Sequence, residues 1–309
     1  MSAAALASRL PWWAKMGAKL VLSRLPARYR FWQKLGLFKH GPMEDPAYVW
    51  ATFARHWERS DFGRKGRPGF TCLELGPGDT LSSCLLAHVH GAATCHLVDT
   101  GPYARAEMAP YRRCEAWLSA RGLPLPPAAC DGDLPTMLRA VGGVYGTQGL
   151  ASLRGIPDGS VDWAWSQAVL EHVRLADFLP TLRELRRVLR PDGVCSHTVD
   201  LKDHLGGALN NLRFAEATWE AEWMAGSGFY TNRLRFTRMC ELFAEAGFAV
   251  EVVVKDTWDA VPTPRRRLAA PFAALGDDEL RVKGFQVLLR PAAAGPGGGA
   301  GATPAGGDA

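Results

Sequence analysis

Between residues 68 and 290, short apolar runs alternate with stretches whose apolar positions recur every three to four residues. The short runs predict buried strands, and the three-to-four spacing predicts amphipathic helices. FTCLEL (70–75) predicts a first strand and TLSSCLLAHVH the helix after it. TCHLVD (94–99) and EMAPYRRCEAWLSARG repeat the pair, and a short third strand is expected near 144–146. VDWAWS (161–166) precedes LADFLPTLRELRRVLR, a helix that Pro191-Asp192-Gly193 is expected to end, with glycine as the stop. VCSHTVD (194–200) is the next strand. Residues 208–226 read as a long helical segment and 237–246 as another helix, before two last strands, FAVEVVVKD and LRVKGFQVLLR. Strands separated by helices imply a parallel sheet with crossovers on both faces. The last two strands adjoin and are expected to form an antiparallel edge. The expected fold is α/β, a doubly wound, mostly parallel seven-stranded sheet with an antiparallel edge strand.

Composition divides the chain into three regions. Residues 1–60 form a basic, aromatic arm of short helices, broken at Pro11, Pro26, Gly36 and Pro42. Residues 61–290 form the main domain. From Pro291 the chain is Gly, Ala and Pro with one charge, a composition that cannot bury a core and predicts a disordered tail over 291–309. The formal charge is +5, yet residues 1–43 hold eight Lys and Arg and no acid, which leaves 28 basic against 31 acidic residues elsewhere. A folded body without a basic stripe argues against a nucleic-acid partner. Seven scattered cysteines, without a CxxC pair or Cys/His ligand spacing, predict neither disulfides nor a metal site, and fit a reducing cytoplasm. No apolar run is long enough to span a bilayer. In the arm, Trp13, Met16, Leu20 and Val21 are expected to share a helix face. Such a segment fits a lid over a ligand pocket, the preferred reading, a peripheral contact with an anionic membrane face, or a transit peptide.

Ligands of doubly wound sheets bind beyond the carboxyl ends of the strands, and polar residues collect at those ends here. Strand one runs through Glu74 into Gly76-Pro77-Gly78-Asp79, and strand two ends at Asp99. Strand four ends at Ser166-Gln167 and leads to Glu171-His172; strand five ends at Asp200, followed by Asp203-His204. Gly76 and Gly78 can serve as turn residues or let a ligand lie on bare backbone. Asp99, 23 residues after Gly76, can cap a turn or accept hydrogen bonds from both hydroxyls of a ribose. A dinucleotide site asks for G-x-G-x-x-G, but Leu81 stands where the third glycine belongs. That substitution disfavours NAD and is harmless for S-adenosylmethionine (SAM), which has no pyrophosphate.

Residues 70–200 resemble the class I SAM-dependent methyltransferases, whose fold is Rossmann-like. LELGPGDT resembles the family's first motif, with Thr80 in place of its last glycine, and Asp99 matches the acid that ends its second strand. IPDGSVDWAWSQAVLEHV and LRELRRVLRPDG resemble its fourth strand and the helix after it. The resemblance implies that Glu74, Gly76 and Gly78 meet the methionine end of SAM and that Asp99 meets the ribose. It also implies that Ser166 and Gln167 line the junction with the acceptor. Where relatives carry an adenine-binding Asp, this chain reads Leu150-Ala151-Ser152-Leu153, so Ser152 or backbone takes that place.

Methyl transfer to a hydroxyl calls for a base. His204 is the candidate, with Asp203 beside it to orient the ring; His172 is its rival, and His197, inside a strand, reads as core. Residues 196–236 combine Trp219, Trp223, Tyr230, Asn232, Arg233 and Arg235, a polar and aromatic set suited to sugars. Residues 196–290 also resemble, more loosely, a bacterial methyltransferase subgroup associated with surface-polysaccharide biosynthesis. The expected acceptor is therefore a small molecule or glycan hydroxyl. An NAD-linked oxidoreductase and a silent SAM-fold subunit, binding a partner or membrane through its basic arm, are the alternatives.

Overall fold

The computed structural model of the protein describes residues 11–22, 42–65 and 68–293, so residues 1–10 and 23–41 of the basic arm and 294–309 of the Gly/Ala/Pro tail lie outside the described residues. The described residues open with helices α1 (Trp12–Leu22) and α2 (Pro46–Arg59). Then follow β1 (Phe70–Leu75), α3 (Ser83–Val89), β2 (Ala92–Val98), α4 (Ala109–Ser119), α5 (Leu134–Ala140), β3 (Gly143–Gly146) and α6 (Leu150–Arg154). The second half holds β4 (Val161–Gln167), α7 (Leu175–Val188), β5 (Leu189–Asp200), α8 (Phe236–Glu245), β6 (Phe248–Thr257) and β7 (Val282–Pro291). The seven strands form one sheet in the order β3-β2-β1-β4-β5-β7-β6. Every pair is parallel except those of β7, which runs antiparallel to both β5 and β6 and so lies one place in from the edge. The strand order reverses between β1 and β4, and a ligand cleft belongs there.

Two apolar clusters, one on each face of the sheet, make the core. Alternation along β4 and β5 assigns the faces: Trp163, Trp165 and Val194 point to one, Ala164, Cys195 and Val199 to the other. α2 covers the first. It starts on Asp45, whose carboxylate accepts from Ala47 N at 2.9 Å, with Pro46 as its first residue. It buries Val49, Phe53 and His56 at helical spacing. The Phe53 ring meets Trp163 and Trp165 edge-on, at 5.3 and 5.6 Å between centroids. Burying each such ring contributes about 2–3 kcal/mol.

Three local expectations fail for physical reasons. α7 ends at Val188, not at Gly193, because Leu189 already pairs with Val161 and residues 191–193 run on within β5. A Cβ on Gly193 would lie 2.9 Å from the Leu189 side chain and 3.0 Å from the Asp162 carbonyl, so glycine serves close packing there. The long helix expected over 208–226 is broken into three short turns, Asn210–Arg213, Glu216–Trp219 and Glu222–Ala225. Tertiary bonds override its periodicity: the Trp219 indole donates to Thr231 O at 2.7 Å, and Asn211 Nδ2 donates to the Thr231 hydroxyl at 2.9 Å. In α1 the packed face is Trp12, Met16 and Leu20, against Leu205, Trp219, Met224, Phe229 and Tyr230, whereas Trp13 and Val21 are exposed. No helix among the described residues is long and apolar enough to cross a membrane.

Candidate functional site

The β1 ladder ends with Gly76 N donating to Val98 O at 2.8 Å. The chain then turns through Gly76 and Gly78, at φ +66° and +73°, a region where side chains are strained. Gly78 N donates to Asp99 Oδ2 at 3.2 Å, and Thr100 N donates to Oδ1 at 2.7 Å. The backbone of Asp99 is itself pinned, its N–H to Gly146 O and its C=O to Gly149 N, at 2.9 and 2.8 Å. Glycine loop, Asp99 and the end of β3 thus share one rim, at the strand reversal. Ser152 stands against Gly146 there, its hydroxyl accepting from Gln148 N at 2.9 Å. Residues 42–45 lie over the loop: Thr80 Oγ1 donates to Met43 O at 3.0 Å, and Arg105 pairs with Glu44 at 2.8 Å. Leu81 is fully buried in the core, so the helix after the loop has no open space for a pyrophosphate's close approach.

The bared loop with a carboxylate on it fits an adenosyl ligand. A carboxylate accepts about four hydrogen bonds, so Asp99 can hold its loop and serve ribose hydroxyls together.

Other predicted site residues turn inward. Glu74 is buried beneath the loop, accepting from the Ser83 hydroxyl. Burial pushes its pKa up to about 7, against hydrogen bonds from Ser83 and Trp165 that lower it. Ser166 is completely buried, 2.8 Å from His197 Nδ1, and does not line a junction as expected. Gln167 Oε1 accepts from His56 Nε2 at 3.2 Å, while His56 Nδ1 meets Ser196 Oγ at 2.8 Å. Burial lowers the pKa of His56, on α2, to about 4 and that of His197, in β5, to about 3, so both rings are neutral. His56 was not singled out by the sequence; its position on the buried face of α2 was the only signal.

Glu74 carries a pH prediction. Its folded pKa is raised, so its contribution to stability is full below the unfolded value of 4.5 and declines as pH rises through 7. Glu74→Gln should remove that decline, worth up to roughly 3 kcal/mol across the window. Urea unfolding at pH 5 and pH 8 reads it, and parallel pH profiles for the two proteins would refute the buried carboxyl.

Past β5, Asp203 does not orient His204. Its carboxylate accepts backbone N–H groups from Leu205, Gly206, Gly207, Ala208 and Asn210, plus Asn210 Nδ2, and so builds the loop after β5. His204 itself sits under α1, where Lys19 Nζ donates to its carbonyl at 3.3 Å. Burial first, then Lys19, lowers its pKa to about 4, too low for a strong general base. Its ring lies 4.6 Å from that of His172, and Glu171 completes the group. Glu171 is buried at 1% exposure; Oε1 accepts from Asp200 N at 3.2 Å, and burial raises its pKa well above the carboxylate range. The sequence displayed Glu171 in LEHV, but only folding shows it beside His204.

Several expected sugar contacts are consumed by the fold. Arg235 caps the carbonyls of Leu201, Glu279, Leu280 and Val282, and Asn232 Nδ2 those of Leu170 and Val173. Trp219 is fully buried, and Arg233 donates to Phe214 O at 2.7 Å. Tyr230 donates to Glu220 at 2.9 Å. Trp223 is exposed.

Residues 137–196 match the sequence model of a methyltransferase domain. The match runs from α5 to β5 and supports methyltransferase activity, with SAM as the cofactor. No curated protein matches the chain. Among solved structures, it is similar to a SAM-dependent methyltransferase from Mesorhizobium loti at 19% identity, over 76% of this chain and 96% of that one, with a TM-score of 0.41. An arsenic(III) SAM methyltransferase from Chlamydomonas reinhardtii is similar at 16% identity, over 75% and 66%, with a TM-score of 0.43. At such scores neither likeness specifies a substrate.

Proposed function

We propose that this chain is a class I SAM-dependent methyltransferase that methylates a hydroxyl, most fittingly of a sugar or glycan. The observation that carries the reading is the junction of Asp99 with the glycine loop at the reversal between β1 and β4. Gly76 and Gly78 would offer backbone to the methionine end, Asp99 would accept from the ribose hydroxyls, and Ser152 with the backbone around Gly149 would border the adenine. Glu74 would act from beneath, fixing the loop through Ser83. Bound there, SAM supplies an electrophilic methyl group on a sulfonium with a neutral leaving group. The protein's part is then chiefly positioning. A hydroxyl acceptor would arrive from the cap built by residues 201–232, whose mouth carries Glu171, His172 and His204. His204, neutral, would accept a hydrogen bond at that mouth rather than act as a strong base. A saccharide acceptor is supported by the looser sequence likeness over 196–290 and by exposed Trp223, not by Trp219, Asn232 or Arg235.

Thermal shift tests the donor. SAM and S-adenosylhomocysteine should each raise the melting temperature, and stabilisation by NAD alone would overturn the reading. Mass spectrometry of glycans incubated with labelled SAM tests the acceptor. For location, we place a peripheral membrane contact on α1, through exposed Trp13 and Val21. Equal pelleting with anionic vesicles, with and without residues 1–40, would remove it.

A further inference from the structure

At the acceptor mouth, three residues of metal-binding type converge. One ligand atom from each of Glu171, His172 and His204 lies within 4.8 Å of the others. Two of these side chains hold buried atoms that nothing satisfies: Glu171 Oε2 and His204 Nε2 have no hydrogen-bond partner among the described residues. Buried polar atoms are rarely left so, because each costs free energy comparable to a lost hydrogen bond. The third residue is already aimed, since His172 Nδ1 lies 2.8 Å from the Tyr230 carbonyl. A donor bond of this kind to a backbone carbonyl fixes ring orientation in metal-ligating histidines. Glu171 is likewise held, through Oε1, by Asp200 N at 3.2 Å.

We infer that Glu171, His172 and His204 form a binding site for a divalent metal ion of the zinc or manganese type, facing the acceptor. Two imidazoles and one carboxylate, formed as Glu171 gives up its proton to solvent on binding, are a common donor set for such ions, and three protein ligands leave positions open for an acceptor oxygen. Bonds of about 2.1 Å would draw the donor atoms to roughly 3–4 Å apart. The closure falls on His204, which hangs on the loop after β5. Charges around the site pull both ways. Lys19 and Lys202 oppose a cation, while Asp200, which pairs with Lys202 at 3.3 Å, and Asp203 favour one. Within the methyltransferase reading, on which this role rests, the ion would bind the acceptor hydroxyl and lower the cost of losing its proton to solvent.

Calorimetric titration of chelator-stripped full-length protein with zinc chloride and with manganese chloride tests the site. One equivalent of at least one metal should bind, at least tenfold more weakly in Glu171→Gln and in His204→Gln. His172→Gln, at an exposed position that should leave folding intact, is the control for a variant that misfolds, and it too should bind at least tenfold more weakly. Lys19→Met should bind several-fold more tightly, which a merely structural cluster would not show. No binding of either ion, or equal binding by wild type and His172→Gln, overturns the inference. A parallel thermal shift with S-adenosylhomocysteine separates the two claims. Stabilisation without metal binding leaves the methyltransferase and removes the metal; metal binding without stabilisation does the reverse.

Discussion

Asp99→Ala should weaken SAM binding by at least about 100-fold, roughly 3 kcal/mol, with the fold retained. The size follows from what the carboxylate does twice over. Toward the ligand it would accept from ribose hydroxyls, and hydrogen bonds to an ionised group contribute about 1.5–3 kcal/mol each. Toward the protein it holds Gly78 N and Thr100 N, so its loss also releases the loop that must lie against the ligand. Asp99→Asn separates the two parts. The amide keeps one acceptor oxygen but turns an N–H₂ group toward one of those two backbone donors, so binding should fall between wild type and Ala. Isothermal titration with SAM measures the series. Unchanged affinity in Asp99→Ala would refute the assignment of the ribose site, whatever the activity.

What the sequence disclosed follows the range of the interactions involved. Strand positions were legible because buried parallel strands are nearly continuous apolar runs, as in FTCLEL and VDWAWS. The glycine loop and Asp99 were legible because each ends a strand, and strand ends meet at one rim in this fold. Side-chain direction was not. Ser166 and Gln167 stand at the end of β4 as expected, yet Ser166 pairs with His197 of β5 and Gln167 with His56 of α2. Asp203 adjoins His204 in the chain, but a short carboxylate beside a tight turn is captured by nearby backbone N–H groups before it can reach a ring. The broken segment after residue 208 has helical periodicity and the wrong partners: Trp219 and Asn211 both bond to Thr231, 12 and 20 residues on. The group of Glu171, His172 and His204 escaped any spacing rule, since its histidines lie 32 positions apart and only the pairing of β4 with β5 brings them together.

Gly76→Ala should destabilise the protein by about 3–4 kcal/mol. Part of this is conformational, since an L residue at φ +66° costs about 1–2 kcal/mol. The rest is steric. A Cβ on Gly76 would stand 2.4 and 2.9 Å from the two methyl carbons of Val169, closer than real contacts permit. Overpacking of this kind costs about 1–3 kcal/mol. The clash has a functional reach, because Val169 lies two residues before Glu171, and a shift to relieve it would move the proposed acceptor mouth. A double mutant divides the two causes. Gly76→Ala combined with Val169→Ala removes the steric part, so it should be more stable than the sum of the single changes predicts, yet keep the dihedral cost. Urea unfolding of the four proteins gives the coupling directly. A coupling near zero, with Gly76→Ala as stable as wild type, would mean that the loop does not pack on Val169 and that the cofactor and acceptor sides of this site are mechanically independent.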